Sequence, residues 1–550
     1  MINILLPILF LIFSFNISFS QLTEQWVARY NGSDNFNDVS NSIAVDNSGN
    51  VYVTGVSFFE SGFEDIITVK YNSEGDQQWI KRFNSPDNSN DKTNSVIVDQ
   101  SGNIIVTGES LRRETGRDII TIKYNSSGEL LWSVTYNNNG TVIGINDDIG
   151  TVLRSDKQNN IYVGGTSKGS TTGYDYVLLK YDSGGNQIFV KRYTGPGNRS
   201  DIIHDLKTDS AGNIYVTGES GYPAGGSSDY LTIKYDPAGN TLWTARYDGP
   251  ISFGDIARSI CTDEKGNVFV TGTSTGPNLE DILTIKYDPL GIMLWETRYD
   301  GLMNLSDNAY SLDIDRAGNI YVAGGSTGET SFPEFTIIKY NTLGYPEWVR
   351  SYIPLTGGSG EAIVVKVDRF NKIYAGGTIN RAISQSSVND FALIQYDTSG
   401  NRRSVNFYNG PVSTTDFLSA IETDNSGNVY VTGKSNGSLL NYDYAVLKYS
   451  ALSNIHSVSD LIPLSFELEQ NYPNPFNPKT VIRFSLSESC TAALKIFDAL
   501  GKEVAIPINE KLNAGTYETE FDASDLPSAV YFYKLSAGGF EYTKKMLLIR

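Results

Sequence analysis

A ten-residue motif limits what this chain can fold into. Asp46-Asn47-Ser48-Gly49-Asn50-Val51-Tyr52-Val53-Thr54-Gly55 returns at 99–108, 209–218, 263–272, 315–324 and 424–433. Copies at 156–165 and 368–377 keep the first Asp and the last Gly but lose the turn glycine, so eight copies recur 52 to 57 residues apart. A second motif, Asp65-Ile66-Ile67-Thr68-Val69-Lys70-Tyr71, keeps step with the first. Its tyrosine returns at Tyr124, Tyr181, Tyr235, Tyr287, Tyr340, Tyr396 and Tyr449. A third, close to Trp-x-x-Arg-Tyr, holds all six tryptophans of the chain: Trp26, Trp79, Trp132, Trp243, Trp295 and Trp348. Phe189 and Ser404 take that place in the other two copies.

Each repeat reads as four short strands. In the first, 41–46 and 51–55 are joined by Asn-Ser-Gly-Asn, whose glycine supplies the positive φ of a hairpin turn. Strands 65–71 and 77–83 are joined by Asn-Ser-Glu-Gly, replaced later by Asp236-Pro237-Ala238-Gly239. Nothing in 22–449 sustains a 3.6-residue apolar period, so helices are not expected. Four-stranded units of this length mean a β-propeller or a β-solenoid, and the recurrent hairpin turns favour the propeller. The array starts with a Trp strand, 26–30, and stops on a third-type strand at Tyr449. Eight blades follow if the first strand completes the last blade, which removes open sheet edges; seven is the alternative count.

Composition narrows the function. A net charge of −19 repels phosphate backbones, so no nucleic-acid partner is expected. Two histidines and two cysteines exclude a disulfide framework and a Cys-rich zinc module. The apolar run 2–15, followed by small residues at Ser18 and Ser20, reads as a signal peptide, 1–20, cut before Gln21. It is shorter than the ~20 apolar residues of a membrane span. No other run comes near that length, so the mature chain is expected to have no transmembrane span.

The repeat pattern stops after 21–449. Residues 450–463 read as a linker, and 464–550 as short alternating strands such as Thr480-Val481-Ile482-Arg483-Phe484 and Tyr531-Phe532-Tyr533-Lys534-Leu535. Their spacing predicts a small antiparallel, Ig-like β-sandwich. The fold class is therefore all-β: a propeller of eight four-stranded blades followed by a sandwich.

Through the motifs quoted above, 22–449 resembles the SBBP β-propeller repeats of secreted bacterial proteins. The tail, opening Gln470-Asn471-Tyr472-Pro473-Asn474-Pro475-Phe476-Asn477-Pro478, resembles the type A C-terminal sorting domain of type IX secretion, found in the Bacteroidota and their relatives. It departs from that family at Ala529, where glycine is usual. The resemblance implies a partner, the type IX secretion machinery acting on 464–550. It also implies an address, secreted or on the outer-membrane cell surface, with the domain commonly removed there.

Catalytic motifs are missing. Gly-x-Ser-x-Gly occurs at 165–169, 272–276 and 324–328, but no helix follows to make a nucleophile elbow. His204 and His456 belong to no His-Glu-x-x-His pair, and Cys261 and Cys490 fall in separate folds and are expected to be unpaired. No catalytic residue and no organic cofactor are expected. Carboxylates are the candidates that remain. Asp38, Asp91, Asp148, Asp201, Asp255, Asp307 and Asp416 each lie eight residues before the motif Asp, with Gly360 the exception. Asp65, Asp118, Asp175, Asp229, Asp281, Asp390 and Asp443 start the third strands, with Glu334 in the sixth repeat.

In an up-and-down blade the starts of strands one and three share a face with the longer, variable loops. The aspartates then either cap turns or form an acidic rim for Ca²⁺ or a cationic or carbohydrate ligand. Their spacing does not reproduce the EF-hand loop. Ligand contacts are expected from the variable segments 56–64, 111–117, 223–228 and 379–389. The expected function is a non-catalytic binding scaffold taking a glycan or protein ligand on that face. The alternative is a polysaccharide hydrolase or lyase using paired loop-face carboxylates.

Overall fold

The computed structural model describes residues 22–549 apart from 139–146, 170, 222–226, 252, 278, 329–331, 354–357, 384–385, 438–440, 452–455, 460–462, 489, 513 and 525. The expected signal peptide thus lies outside the described residues, as does most of 223–228. The chain divides into two compact units, Leu22–Ser450 and Ala451–Arg550. No helix occurs among the described residues.

The first unit consists of eight four-stranded antiparallel sheets. Blades 1 to 7 are the meanders 38–83, 91–136, 148–193, 201–247, 255–299, 307–352 and 360–408. Blade 8 is the exception. Its first three strands are Asp416–Thr423, Val429–Asn436 and Tyr442–Ala451, and its fourth is Leu22–Tyr30, from the other end of the array. The first strand of each blade packs against that of the next, and the first strand of blade 8 packs against that of blade 1. The ring is closed at eight.

Burial follows strand order. The second strand, such as Val51–Phe58, is buried along nearly its whole length, whereas the fourth, such as Gln77–Phe83, is mostly exposed. A strand covered on both faces carries a continuous apolar run, which is why Val-Tyr-Val-Thr-Gly survives in so many copies. The cores lie between blades. Val152, Tyr162 and Leu178 of blade 3, for instance, pack with Ile203, Val216 and Ile233 of blade 4.

Two motif glycines have separate physical reasons. Strand one carries a β-bulge between Ser40 and Ser42, repeated in every blade, which pushes its backbone toward strand two. A Cβ at Gly55 would collide with the carbonyl oxygen of Val39, and the same holds at the last Gly of all eight copies. The turn glycine, Gly49 with φ 77°, needs only the left-handed backbone. In the two degenerate copies Asn159 (φ 61°) and Asn371 (φ 58°) take that conformation instead, asparagine being one of the few side chains that tolerates it.

The Trp and Lys-Tyr motifs form one clamp between neighbouring blades. Each tryptophan donates its indole N–H, at 3.0–3.3 Å, to a carbonyl in the turn between strands three and four of the next blade. The motif lysine of the same blade reaches the same carbonyl: Lys70 and Trp79 both bond Ser126 O. That turn's glycine admits the ring. A Cβ at Gly75, for example, would stand 2.7 Å from the Trp26 indole. Blade 8 has no such turn, because its third and fourth strands come from opposite ends of the array. Blade 7 accordingly has no turn to clamp and carries Ser404 in place of Trp.

The second unit is a sandwich of two four-stranded sheets around one core that includes Phe476, Ile482, Phe484, Leu494, Tyr533 and Met546. The segment 450–463, linker-like in composition, contributes a strand here. His456–Ser459 pairs with Gly515–Asp522. Backbone groups supply that pairing, so a four-residue strand leaves little compositional trace.

Candidate functional site

One face of the ring carries the entry loops, which lead from one blade's fourth strand to the next blade's first, and the loops between strands two and three. The two aspartate rings stand at this face, and both are buried. In the inner ring Oδ2 of Asp38, Asp91, Asp148, Asp201, Asp255, Asp307 and Asp416 accepts a backbone N–H of its entry loop, from Gly32, Ser85, Asn138, Gly195, Gly249, Gly301 and Gly410, at 2.5–2.9 Å. Each of these aspartates faces a serine at the end of strand two. This is the geometry of a loop cap.

The second ring is tied to the first by arginine. Arg246 bonds the hydroxyl and carbonyl of Ser220, at 2.8 Å each, and the carboxylate of Asp229 at 2.6 Å. A row Asp201–Ser220–Asp229–Arg246 therefore crosses all four strands of blade 4. Arg29, Arg192 and Arg298 make the corresponding row in blades 8, 3 and 5, and Arg82 pairs with Asp65 in blade 1. Blade 2 has Thr135 at that place, and there Thr115 Oγ1 bonds Asp118 at 2.8 Å. Burial pushes the carboxyls of Asp38 and Asp118 up to about 6, and it also raises those of Asp91, Asp148, Asp201, Asp255 and Asp307.

Carboxylates converge in two places among the described residues. Asp229, Asp248 and Asp255 each bring one oxygen within 4.8 Å of the others, and Asp281, Asp300 and Asp307 do the same one blade on. Asp248 and Asp300 are the exposed members. Of the seven inner-ring aspartates, Asp255 and Asp307 are the two that join such a group among the described residues.

The inner strands also carry a charge cluster: Arg154, Lys207, Asp313, Lys366 and Glu422 each stand two residues before the motif Asp of their repeat. Arg154 pairs with Asp205 at 3.0 Å and Lys366 with Glu422 at 3.1 Å, while Asp313 accepts the backbone N–H of Val367 at 2.8 Å. Lys207 of blade 4 feels both Arg154 of blade 3 and Asp313 of blade 6, and its pKa is lowered, first by Arg154 and then by burial. Three cations and three anions balance there. His204 on the same strand as Lys207 reaches Glu219 at 3.5 Å. Cys261 is buried, with its thiol pKa pushed well up, and both cysteines are unpaired.

Two protein families match parts of the chain. A secretion system C-terminal sorting domain covers 470–549, and a β-propeller repeat, SBBP, matches 25–57, 188–221, 249–280 and 412–441. No curated protein matches the sequence. Among solved structures, a PL25 ulvan lyase aligns with a TM-score of 0.39 at 11% identity, over 76% of this chain and 95% of its own. A fungal alcohol oxidase of the AA5 family, in complex with copper, aligns at 0.39 and 12%, over 82% and 96%. Drosophila Plexin A in complex with Semaphorin 1b aligns at 0.37 and 8%, over 78% and 87%. The chain carries SBBP β-propeller repeats, closed here into eight blades, and ends in a C-terminal sorting domain that directs it through type IX secretion to the cell surface or beyond.

Proposed function

We propose that the exported propeller is a non-catalytic binding scaffold that takes its ligand on the loop face. One observation carries this reading: the carboxylates of that face are repeated from blade to blade and used in caps and Arg rows. A glycosidase instead needs a free acid and base roughly 5 to 10 Å apart. The loops beside the carboxylates vary from blade to blade, as ligand-selecting segments on a rigid frame do. The test incubates the full chain with glycan and peptide arrays, beside a reducing-sugar assay on the same glycans. Binding without turnover supports the scaffold; released sugar overturns it.

The convergence of carboxylates supports a second, narrower proposal. A divalent cation such as Ca²⁺ would sit at Asp229, Asp248 and Asp255 or at Asp281, Asp300 and Asp307, with the other inner-ring aspartates left as caps. Arg246 and Arg298 compete for the carboxylates of Asp229 and Asp281. The melting temperature should rise with calcium as mass action requires, and Asp248→Asn with Asp300→Asn should abolish the rise. No shift with any divalent cation would leave the whole ring to capping.

A further inference from the structure

The loop face is not uniform around the ring. Phe253 (64% exposed), Leu279 (43%), Leu302 (87%), Met303 (45%), Phe332 (55%) and Ile353 (43%) all stand in the loops that enter or cap blades 5 and 6, or lead out of blade 6. Elsewhere on this face, among the described residues, the exposed large apolar side chains are Phe36 and Phe63 of blade 1. The loops concerned lie side by side. Thr275 Oγ1 bonds Gly254 O at 2.9 Å, Thr273 Oγ1 bonds Asn308 Oδ1 at 3.0 Å, and Thr327 Oγ1 bonds Ser306 O at 2.7 Å. An exposed apolar group of this extent is unusual on a protein with no partner.

Charge separates the same sector from its neighbours. The segments 248–254, 276–280, 300–306, 328–334 and 353–359 contain no Lys or Arg. Three of their acids, Asp248, Glu280 and Asp300, are exposed, and two of these belong to the carboxylate groups described above. The loop face of blades 2 to 4 is mixed instead, with Arg113, Arg117 and Arg199 exposed together with Glu114. The sector on blades 5 and 6 therefore combines aliphatic and phenylalanine side chains with negative potential. Anionic lipid and nucleic acid are repelled by such a surface, and aliphatic side chains offer sugars few hydrogen bonds.

We infer that the loop face of blades 5 and 6 is a docking surface for a cationic, apolar polypeptide segment, one presenting Leu-, Ile- or Phe-type side chains between Lys or Arg. This rests on the scaffold reading and names its partner class. The apolar side chains supply affinity by burial, and Asp248, Glu280 and Asp300 select for positive charge and speed the encounter.

The test uses the full chain and a labelled synthetic peptide of alternating Leu and Lys, with a Leu–Glu peptide as counterpart, read by fluorescence anisotropy. Leu302→Ser with Phe332→Ser should weaken Leu–Lys binding by about tenfold or more, as loss of central apolar contacts does. Asp248→Asn with Asp300→Asn should weaken it about threefold or more and flatten its dependence on salt. Arg113→Ser with Arg199→Ser, on blades 2 and 4, should leave it unchanged. Equal binding of the Leu–Glu peptide, or indifference to both substitutions on blades 5 and 6, overturns the inference. If binding then depends on the arginine pair, the loop face still binds and only this sector is wrong. If no loop-face substitution matters, the scaffold reading fails with it.

Discussion

Asp201 and Ser220 face one another at the ends of the first two strands of blade 4, the serine hydroxyl bonded to the carboxylate. The same Asp–Ser pairing occurs in seven blades; in the remaining one, blade 7, Gly360 faces Ile379 and both polar groups are gone together. A buried carboxylate is kept where hydrogen bonds satisfy it and dropped where they do not. Asp201→Ala orphans the buried N–H of Gly195 and should destabilise by about 2 kcal/mol. Combining it with Ser220→Ala should cost less than the sum, because the two share one interaction. Thermal melts of the two single variants and the double check this; strict additivity would mean that the pair does not act as a unit.

Ring closure depends on nine residues. Within Leu22–Tyr30, Trp26 reaches Ser73 of blade 1 at 3.0 Å, and Arg29 reaches Tyr408 of blade 7 at 2.8 Å and Asp443 of blade 8 at 2.9 Å. Deleting 22–30 should lower the melting temperature of the whole ring and expose the edge of Tyr442–Ala451, a site for self-association. Arg29→Ala alone should cost about 2–3 kcal/mol, since it strands the buried carboxylate of Asp443. Light scattering during a melt reports both effects. A deletion variant that melts like the intact protein would contradict closure by this strand.

The pH dependence of Asp118 has a definite sign. Its carboxyl is raised by burial to about 6 in the folded protein from an ordinary value of 3.8, so the folded state holds the proton more tightly than the unfolded chain does. The resulting stabilisation is fully present below about pH 4 and is lost as pH rises through about 6. Blade 2 lacks the arginine that neutralises the matching aspartate in blades 1, 3, 4, 5 and 8. Thr135→Arg should supply it, raising stability at pH 7 by about 1–2 kcal/mol and flattening the slope between pH 4 and 6. Melts of the two proteins across that range decide the matter: equal slopes would mean that the new guanidinium does not reach Asp118.

The repeat made the strands, the hairpin turns and the closing strand legible, because each blade buries the same pattern against its neighbour. The Arg–Asp rows were legible in principle too. Arg82 and Asp65, Arg192 and Asp175, Arg246 and Asp229, and Arg298 and Asp281 all stand 17 residues apart. That constancy is a pairing signal, but reading the aspartates as a ring and the arginines as part of a Trp motif hides it. The charge cluster of Arg154, Lys207, Asp313 and Lys366 shares one repeat position, but repeat spacing alone does not show that these side chains meet. Its members come from blades 3, 4, 6 and 7, each two residues before the motif Asp, where the residue type changes from repeat to repeat, and only closure of the ring brings them within electrostatic range.

Separability of the two units gives the last prediction. The sandwich has a core of its own, built from residues of 468–548, and the propeller closes its ring with residues of 22–451. Units with independent cores fold independently as a rule. Removing 452–550 should therefore leave a propeller whose melting temperature is changed by no more than a few degrees. Its location should change completely, because the matched sorting domain lies within the removed segment. In the native host the truncated chain should accumulate inside the outer membrane, and cell fractionation should find little of it at the surface or in the medium. Truncated protein outside the cell at the normal level would show that 470–549 is not the export address. A truncated chain that fails to fold would leave its location uninformative, so the experiment includes a second arm, a fusion of 451–550 to an unrelated secreted reporter. That fusion should reach the surface or the medium, and its retention would count against the address.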